Sequence, residues 1–200
     1  MKRIALSIGI AAALSAGFAA FFPEKAVLIS APDKILKSVG DPVDSLDGVV
    51  VYYNGSVANT CGRNLSPDGY NLGLKYQCVE FVKRYYFEHY LHRMPDSYGH
   101  AKDFFHLGLK DGSMNPHRNL RQFCQGSSSR PEKGDLIVFD GNAFNPYGHV
   151  AIVSEASNEA MEIIQQNPGP MAPSREVLSL EIADGKWLVG RSDVLGWLRK

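Results

Sequence analysis

Gly134-Asp135-Leu136-Ile137-Val138-Phe139 (residues 134–139) and Gly148-His149-Val150-Ala151-Ile152-Val153 (residues 148–153) decide the reading of this chain. Each is a short apolar run entered through a glycine, the pattern of a buried strand. Four further strands follow at close spacing: Met161–Gln166, Leu178–Ile182, Trp187–Val189 and Val194–Leu198. Upstream the period is different. From Tyr76 to about Leu91 there is neither Gly nor Pro, and Val79, Val82 and Tyr86, joined by Phe81 and Tyr85, recur at helical spacing. Pro95 stands beyond its end. One helix followed by several closely spaced strands predicts an α+β fold with a mainly antiparallel sheet.

Outward from this core the signals are weaker. Val49–Tyr53 reads as a strand stopped by Asn54-Gly55, and the segment from there to about Gly73 as a polar loop. Ala101 to about Leu109 is a second, shorter helix candidate, and Gly112–Lys133 reads as loop. Residues 23–46, punctuated by Pro23, Pro32 and Pro42, read as a connector, which leaves 47–200 as one domain without internal repeats. At the N-terminus, Lys2 and Arg3 precede an uncharged, mainly apolar run from Ile4 to Phe22. Residues 1–22 are therefore expected to be a secretory signal peptide or an N-terminal membrane anchor. The expected location is exported, in the periplasm or cell envelope, with membrane contact only through residues 4–22 if they are not cleaved.

Composition excludes several classes. Twenty-one Lys+Arg balance twenty-one Asp+Glu, so there is no basic excess to hold a nucleic acid. Two hundred residues, 44% of them hydrophobic, can bury a core without disulfides or metal. Three cysteines are too few for a disulfide scaffold and leave one unpaired. In an exported protein Cys61 and Cys124 are candidates for a disulfide, against three reduced thiols as the alternative. His89 and His92 lie three apart on the long helix, but no Cys or carboxylate stands at matching spacing. No metal or organic cofactor is expected.

Chemistry concentrates at three positions. Cys78 sits in the first turn of the long helix, where free N–H groups and the helix dipole favour a thiolate and offer an oxyanion hole. His149 opens an apolar strand and shares a face with Ala151 and Val153. A hairpin that pairs Val153 with Met161 sets His149 opposite Gln165, with Asn167 on the same face; a slip of one residue would present Gln166 instead. The Gln165 amide would orient the imidazole, as the third member of a triad does. Gln77 is a candidate oxyanion donor or an ordinary exposed side chain, and Glu80 with Arg84 reads as a solvated i,i+4 pair.

The motifs Tyr76–Arg84, Gly134–Phe139 and Gly148–Val153, in that order, resemble the CHAP family of cysteine- and histidine-dependent amidohydrolases/peptidases. Within it the chain is similar to the amidase domain of glutathionylspermidine synthetase/amidase and trypanothione synthetase enzymes; Val49–Gly55, Gln165-Gln166-Asn167 and Leu195-Gly196-Trp197 fit that subgroup. The resemblance covers residues 47–198. It implies a papain-like fold, Cys78 as nucleophile and His149 as general base. The family's third position is usually acidic and is followed two residues later by Asn. Asn167 matches the second; Gln165 replaces the acid. The expected activity is cleavage of peptidoglycan peptide amides through a thioester. The alternatives are hydrolysis of a glutathione–polyamine amide, or a catalytically weak wall-binding module lacking the charge that Gln165 replaces.

Overall fold

The computed structural model describes residues 37–169 and 172–200, so the Ile4–Phe22 segment lies outside the described residues. The elements are β1 (Pro42–Leu46), β2 (Val49–Tyr52), β3 (Arg63–Leu65), β4 (Asn71–Leu74), α1 (Cys78–Tyr90), β5 (Ser113–Asn115), β6 (Leu120–Cys124), β7 (Leu136–Phe139), β8 (His149–Ala156), β9 (Ala160–Ile164), β10 (Arg175–Ala183), β11 (Lys186–Val189) and β12 (Val194–Arg199). Eight strands form one antiparallel sheet in the order β11-β10-β9-β8-β7-β12-β6-β5. The pairs β1–β2 and β3–β4 form separate two-stranded sheets. The fold is α+β.

Alternation along the central strands divides their side chains between two cores. Leu136, Val138, Val150, Ile152 and Leu198 pack with Phe81, Val82, Tyr85 and Tyr86 of α1. Ile137, Phe139, Ala151, Val153, Ile163 and Trp197 pack together in the second cluster. All four of those α1 residues are fully buried, which is what the helical spacing requires. The helix stops at Leu91, which adopts left-handed geometry at φ 52° and is exposed. Gly73 lets β4 approach α1 closely, since a Cβ there would lie 3.0 Å from the Glu80 Cα.

Several expectations are corrected. The second helix is only a 3₁₀ turn, Lys102–Phe104. The expected loop 112–133 contains β5 and β6, whose cores include the buried polar residues Asn115 and Gln122, so apolar alternation is absent there. The polar segment 54–73 holds β3 and most of β4, and β1 falls inside the stretch read as connector and pairs with β2. All three cysteines are free: Cys61 lies on the exposed segment before β3, whereas Cys124 lies half-buried at the end of β6 beside Asp111. No Cys61–Cys124 disulfide is present.

Glu80 and Arg84 are not solvated either, with 1% and 6% of their surfaces exposed. A further side of the helix is covered by β2 and β4. Glu80 Oε1 accepts from Arg84 Nε (2.7 Å) and Asn64 Nδ2 (2.7 Å), and Arg84 Nη2 donates to the Val50 carbonyl (2.8 Å). Glu80→Ala would leave the Arg84 guanidinium buried without its counter-ion, a loss of about 3–5 kcal/mol. Urea unfolding checks this; a change below about 1 kcal/mol would fit a solvated pair instead.

Between Val153 and Glu155 the β8–β9 register shifts, and Ser154 is the extra residue of a β-bulge. Its hydroxyl donates to Glu162 Oε1 at 2.7 Å. Among the described residues no helix is long and apolar enough to cross a membrane.

Candidate active site

Cys78 is the first residue of α1, and Gln77 before it is extended (φ −86°, ψ 161°). That corner leaves the first-turn N–H groups without intrahelical acceptors. The thiol is 9% exposed. Burial dominates its acidity and pushes the pKa up to about 11, against the backbone N–H groups of Val150, Val79 and Cys78, which face the sulfur and pull the other way. The contact with the Val150 amide places the sulfur one residue from His149 along β8.

Gly148 turns the chain into β8 at φ 72°, and a Cβ there would lie 2.5 Å from the Phe139 carbonyl oxygen. Only glycine fits this entry to the histidine. Burial lowers the His149 pKa to about 4, with the Gln165 hydrogen bond opposing it. At neutral pH the resting pair is therefore a neutral thiol and a neutral imidazole, not the ion pair that the helix dipole alone would favour. No hydrogen bond joins the sulfur to the ring among the described residues.

Gln165 is 2% exposed, and its Oε1 lies 3.0 Å from His149 Nε2. The amide is oriented from its other end, where Nε2 donates to the Pro173 carbonyl at 3.2 Å. Its oxygen therefore faces the ring, Nε2 of the imidazole carries the proton, and Nδ1 is left as the basic nitrogen. The pairing differs from the expected register. Val153 opposes Ile163, not Met161, a shift of two residues. Two residues is one full strand period, so Gln165 stays on the His149 face, one pair along from the position expected.

Gln77 and Asn167 act elsewhere than at the ring. Gln77 Nε2 donates to the Val57 (3.0 Å) and Asn59 (2.8 Å) carbonyls, which occupies the expected oxyanion donor. Asn167, in left-handed geometry at φ 54°, donates from Nδ2 to Gln77 Oε1 (2.7 Å) and the Val57 carbonyl (3.0 Å). Both fasten the 57–59 segment to the start of α1. The two histidines noted on the helix part company: His92 is buried against the Arg118 carbonyl, while His89 stacks on Tyr85. Among the described residues no three His, Cys, Asp or Glu side chains converge as metal ligands.

Comparison with known proteins identifies the family. The CHAP domain model matches residues 68–167. The bifunctional glutathionylspermidine synthetase/amidase of Escherichia coli (strain K12) is 35% identical over 107 residues, covering 52% of this chain and 17% of that protein. Trypanothione synthetase of Crithidia fasciculata is 28% identical over 147 residues, covering 68% of this chain and 22% of that protein. Glutathionylspermidine synthase of the same organism is 27% identical over 139 residues, covering 64% and 19%. The chain thus spans about a fifth of the length of these relatives. With half of its residues matched by the family model, including Cys78, His149 and Gln165, this chain belongs to the CHAP domain family.

Proposed function

We propose that the protein is a cysteine-dependent amidase/peptidase with a papain-like active site, cleaving amide bonds through a thioester. The observation that carries this reading is the Gln165 Oε1 to His149 Nε2 hydrogen bond of 3.0 Å. It leaves Nδ1 as the base on the residue next to Val150, whose amide faces the Cys78 sulfur. In this mechanism the thiol proton passes to His149 Nδ1 as the sulfur adds to the substrate carbonyl. The Cys78 N–H stabilises the oxyanion. The imidazolium then protonates the leaving amine, and the C–N bond breaks to give the thioester. Water attacks next, giving its proton to Nδ1, and the thiol and a free carboxylic acid are released.

Because burial keeps both groups neutral at rest, the ion pair arises only as the sulfur attacks. Gln165 stabilises it as a dipole where an acid would do so as a charge. A cavity lined by Tyr52, Asn54, Ser56, Gln165, Asn167 and Ser174 provides room next to this amide for one arm of a substrate.

The proposed substrate is a peptidoglycan peptide in the cell envelope, and its support is the Ile4–Phe22 sequence with the basic residues before it. A second reading, hydrolysis of a glutathione–polyamine amide, is favoured by the 35% identity to a protein named as a glutathionylspermidine synthetase/amidase. Incubation with a purified muropeptide and, separately, with glutathionylspermidine, followed by mass spectrometry of the released amine, separates the two. We expect the muropeptide to be cleaved at least tenfold faster. Cleavage of glutathionylspermidine alone would overturn the envelope assignment and keep the chemistry. Cleavage of neither would favour the wall-binding alternative.

A further inference from the structure

Gln166 lies beside the residue that orients the histidine and is fully buried. Its amide nonetheless makes all the hydrogen bonds its nitrogen can donate. Oε1 accepts from the Tyr52 N–H of β2 at 2.8 Å. Nε2 donates to Glu80 Oε2 at 2.8 Å and, at 3.0 Å, to the Gln77 carbonyl, which accepts from the Phe81 N–H of α1 as well at 3.2 Å. These partners fix which way the amide faces, and Glu80 is itself held by Arg84 and Asn64.

The Gln77 carbonyl belongs to the same planar peptide unit as the Cys78 N–H. In a trans peptide the two groups point in opposite directions, so holding the oxygen sets the direction of the hydrogen. That N–H is the oxyanion donor of the proposed mechanism, and the Gln77 side chain, engaged by Val57 and Asn59, does not join it. We infer that Gln166 is a positioning residue for the oxyanion site: through the Gln77 carbonyl it aims the Cys78 N–H at the substrate oxygen, while its neighbour Gln165 aims the imidazole. This inference rests on the proposed roles of Cys78 and His149. It divides the work of two adjacent glutamines, one serving the base and one serving the oxyanion.

Two electrophiles separate these tasks. Iodoacetamide alkylates a thiol by displacement at carbon: the S–C bond forms as the C–I bond breaks and iodide leaves, with no oxyanion. p-Nitrophenyl acetate acylates it through a tetrahedral oxyanion: the S–C bond forms, p-nitrophenolate leaves, and the thiol proton goes to His149. Both adducts are followed by mass spectrometry on the Cys78 peptide, so that Cys61 and Cys124 do not contribute. Gln166→Met removes the amide, and Gln166→Asn keeps it but shortens its reach, protecting the fold if the first variant does not survive a thermal melt.

For either folded variant we expect acylation to fall about tenfold or more, with alkylation within about twofold of wild type. Proportional loss of both rates would mean that Gln166 merely holds the sulfur in place. That result, or no loss of acylation, or a larger loss of alkylation, overturns the inference. A wild-type protein that does not acylate Cys78 at all would instead defeat the underlying assignment of the nucleophile.

Discussion

Cys78→Ala is expected to lower amide hydrolysis by a factor of ~10⁴ or more, with the melting temperature changed by only a few degrees. The two halves of this expectation have separate causes. Chemically, among the described residues the neighbours of Cys78 offer no replacement for its thiol: Gln77, Asn167 and Gln166 are amides committed to backbone or side-chain partners, and the Ser174 hydroxyl of the adjoining cavity is held by Asp44. Structurally, alanine is a good residue for the first turn of a helix, and it removes a single buried atom. The amide of Val150 loses only a weak sulfur acceptor. Amine release from whichever amide the wild type cleaves, measured alongside a thermal melt, checks both halves. Undiminished hydrolysis by the folded variant would remove Cys78 from the mechanism.

The second large effect is expected at Gln165, and it has a pH signature. In the wild type, catalysis needs neutral His149, whose pKa burial lowers from 6.5 to about 4. The rate should hold through neutral pH and fall as the pH drops through about 4. Stability follows a related course. The unfolded chain takes up a proton below pH 6.5 that the folded ring refuses until about 4, so stability declines as pH falls across that window.

Gln165→Ala releases the ring from its one side-chain acceptor and should cost up to about 10⁴ in rate, the loss seen when the orienting member of a triad is changed. Gln165→Glu keeps the shape and adds a charge. A carboxylate beside the imidazole should raise the His149 pKa by about 1–3 units, moving the acid limb of the rate upward. It should also make the thiolate–imidazolium pair easier to form, with about tenfold faster Cys78 alkylation at neutral pH. The pH profile of Cys78 alkylation tests this directly. Superimposable profiles for wild type and Gln165→Glu would mean that the amide does not tune the base.

Residues whose environment is set by local periodicity were legible in the sequence. The Phe81–Tyr86 stripe announces α1, and the unbroken apolar runs at 136–139 and 149–153 announce β7 and β8. From these the Cys78–His149–Gln165 set could be assembled, because each member stands at the end of a strongly patterned element. Residues whose environment is made by distant chain were not legible. Glu80 and Arg84 have the spacing of a solvated pair, and only Asn64, Val50 and Gln166, all far away in sequence, turn them into a buried one. Gln122 and Asn115 bond to each other and to the 104–106 segment, so β5 and β6 bury polar side chains that read as loop. The role of Gln77 was misdirected for the same reason. Its acceptors at Val57 and Asn59 belong to a segment whose path the sequence does not reveal.

The extra residue at Ser154 works as a phase setter for the hairpin. Counting back from the Ala156–Met161 pair without it, Ala151 would meet Gln166, and the histidine's face would be offered the wrong amide. With it, the count moves by one, and Gln165 comes round to the imidazole while Gln166 turns toward the helix. Since each amide is committed to a different group, the bulge does more than bend a strand: it determines which of two chemically identical neighbours meets the base. A register change of two residues would keep Gln165 on the histidine's face but carry it about 6.6 Å along the strand, out of reach of the ring. A change of one would exchange the duties of the two glutamines.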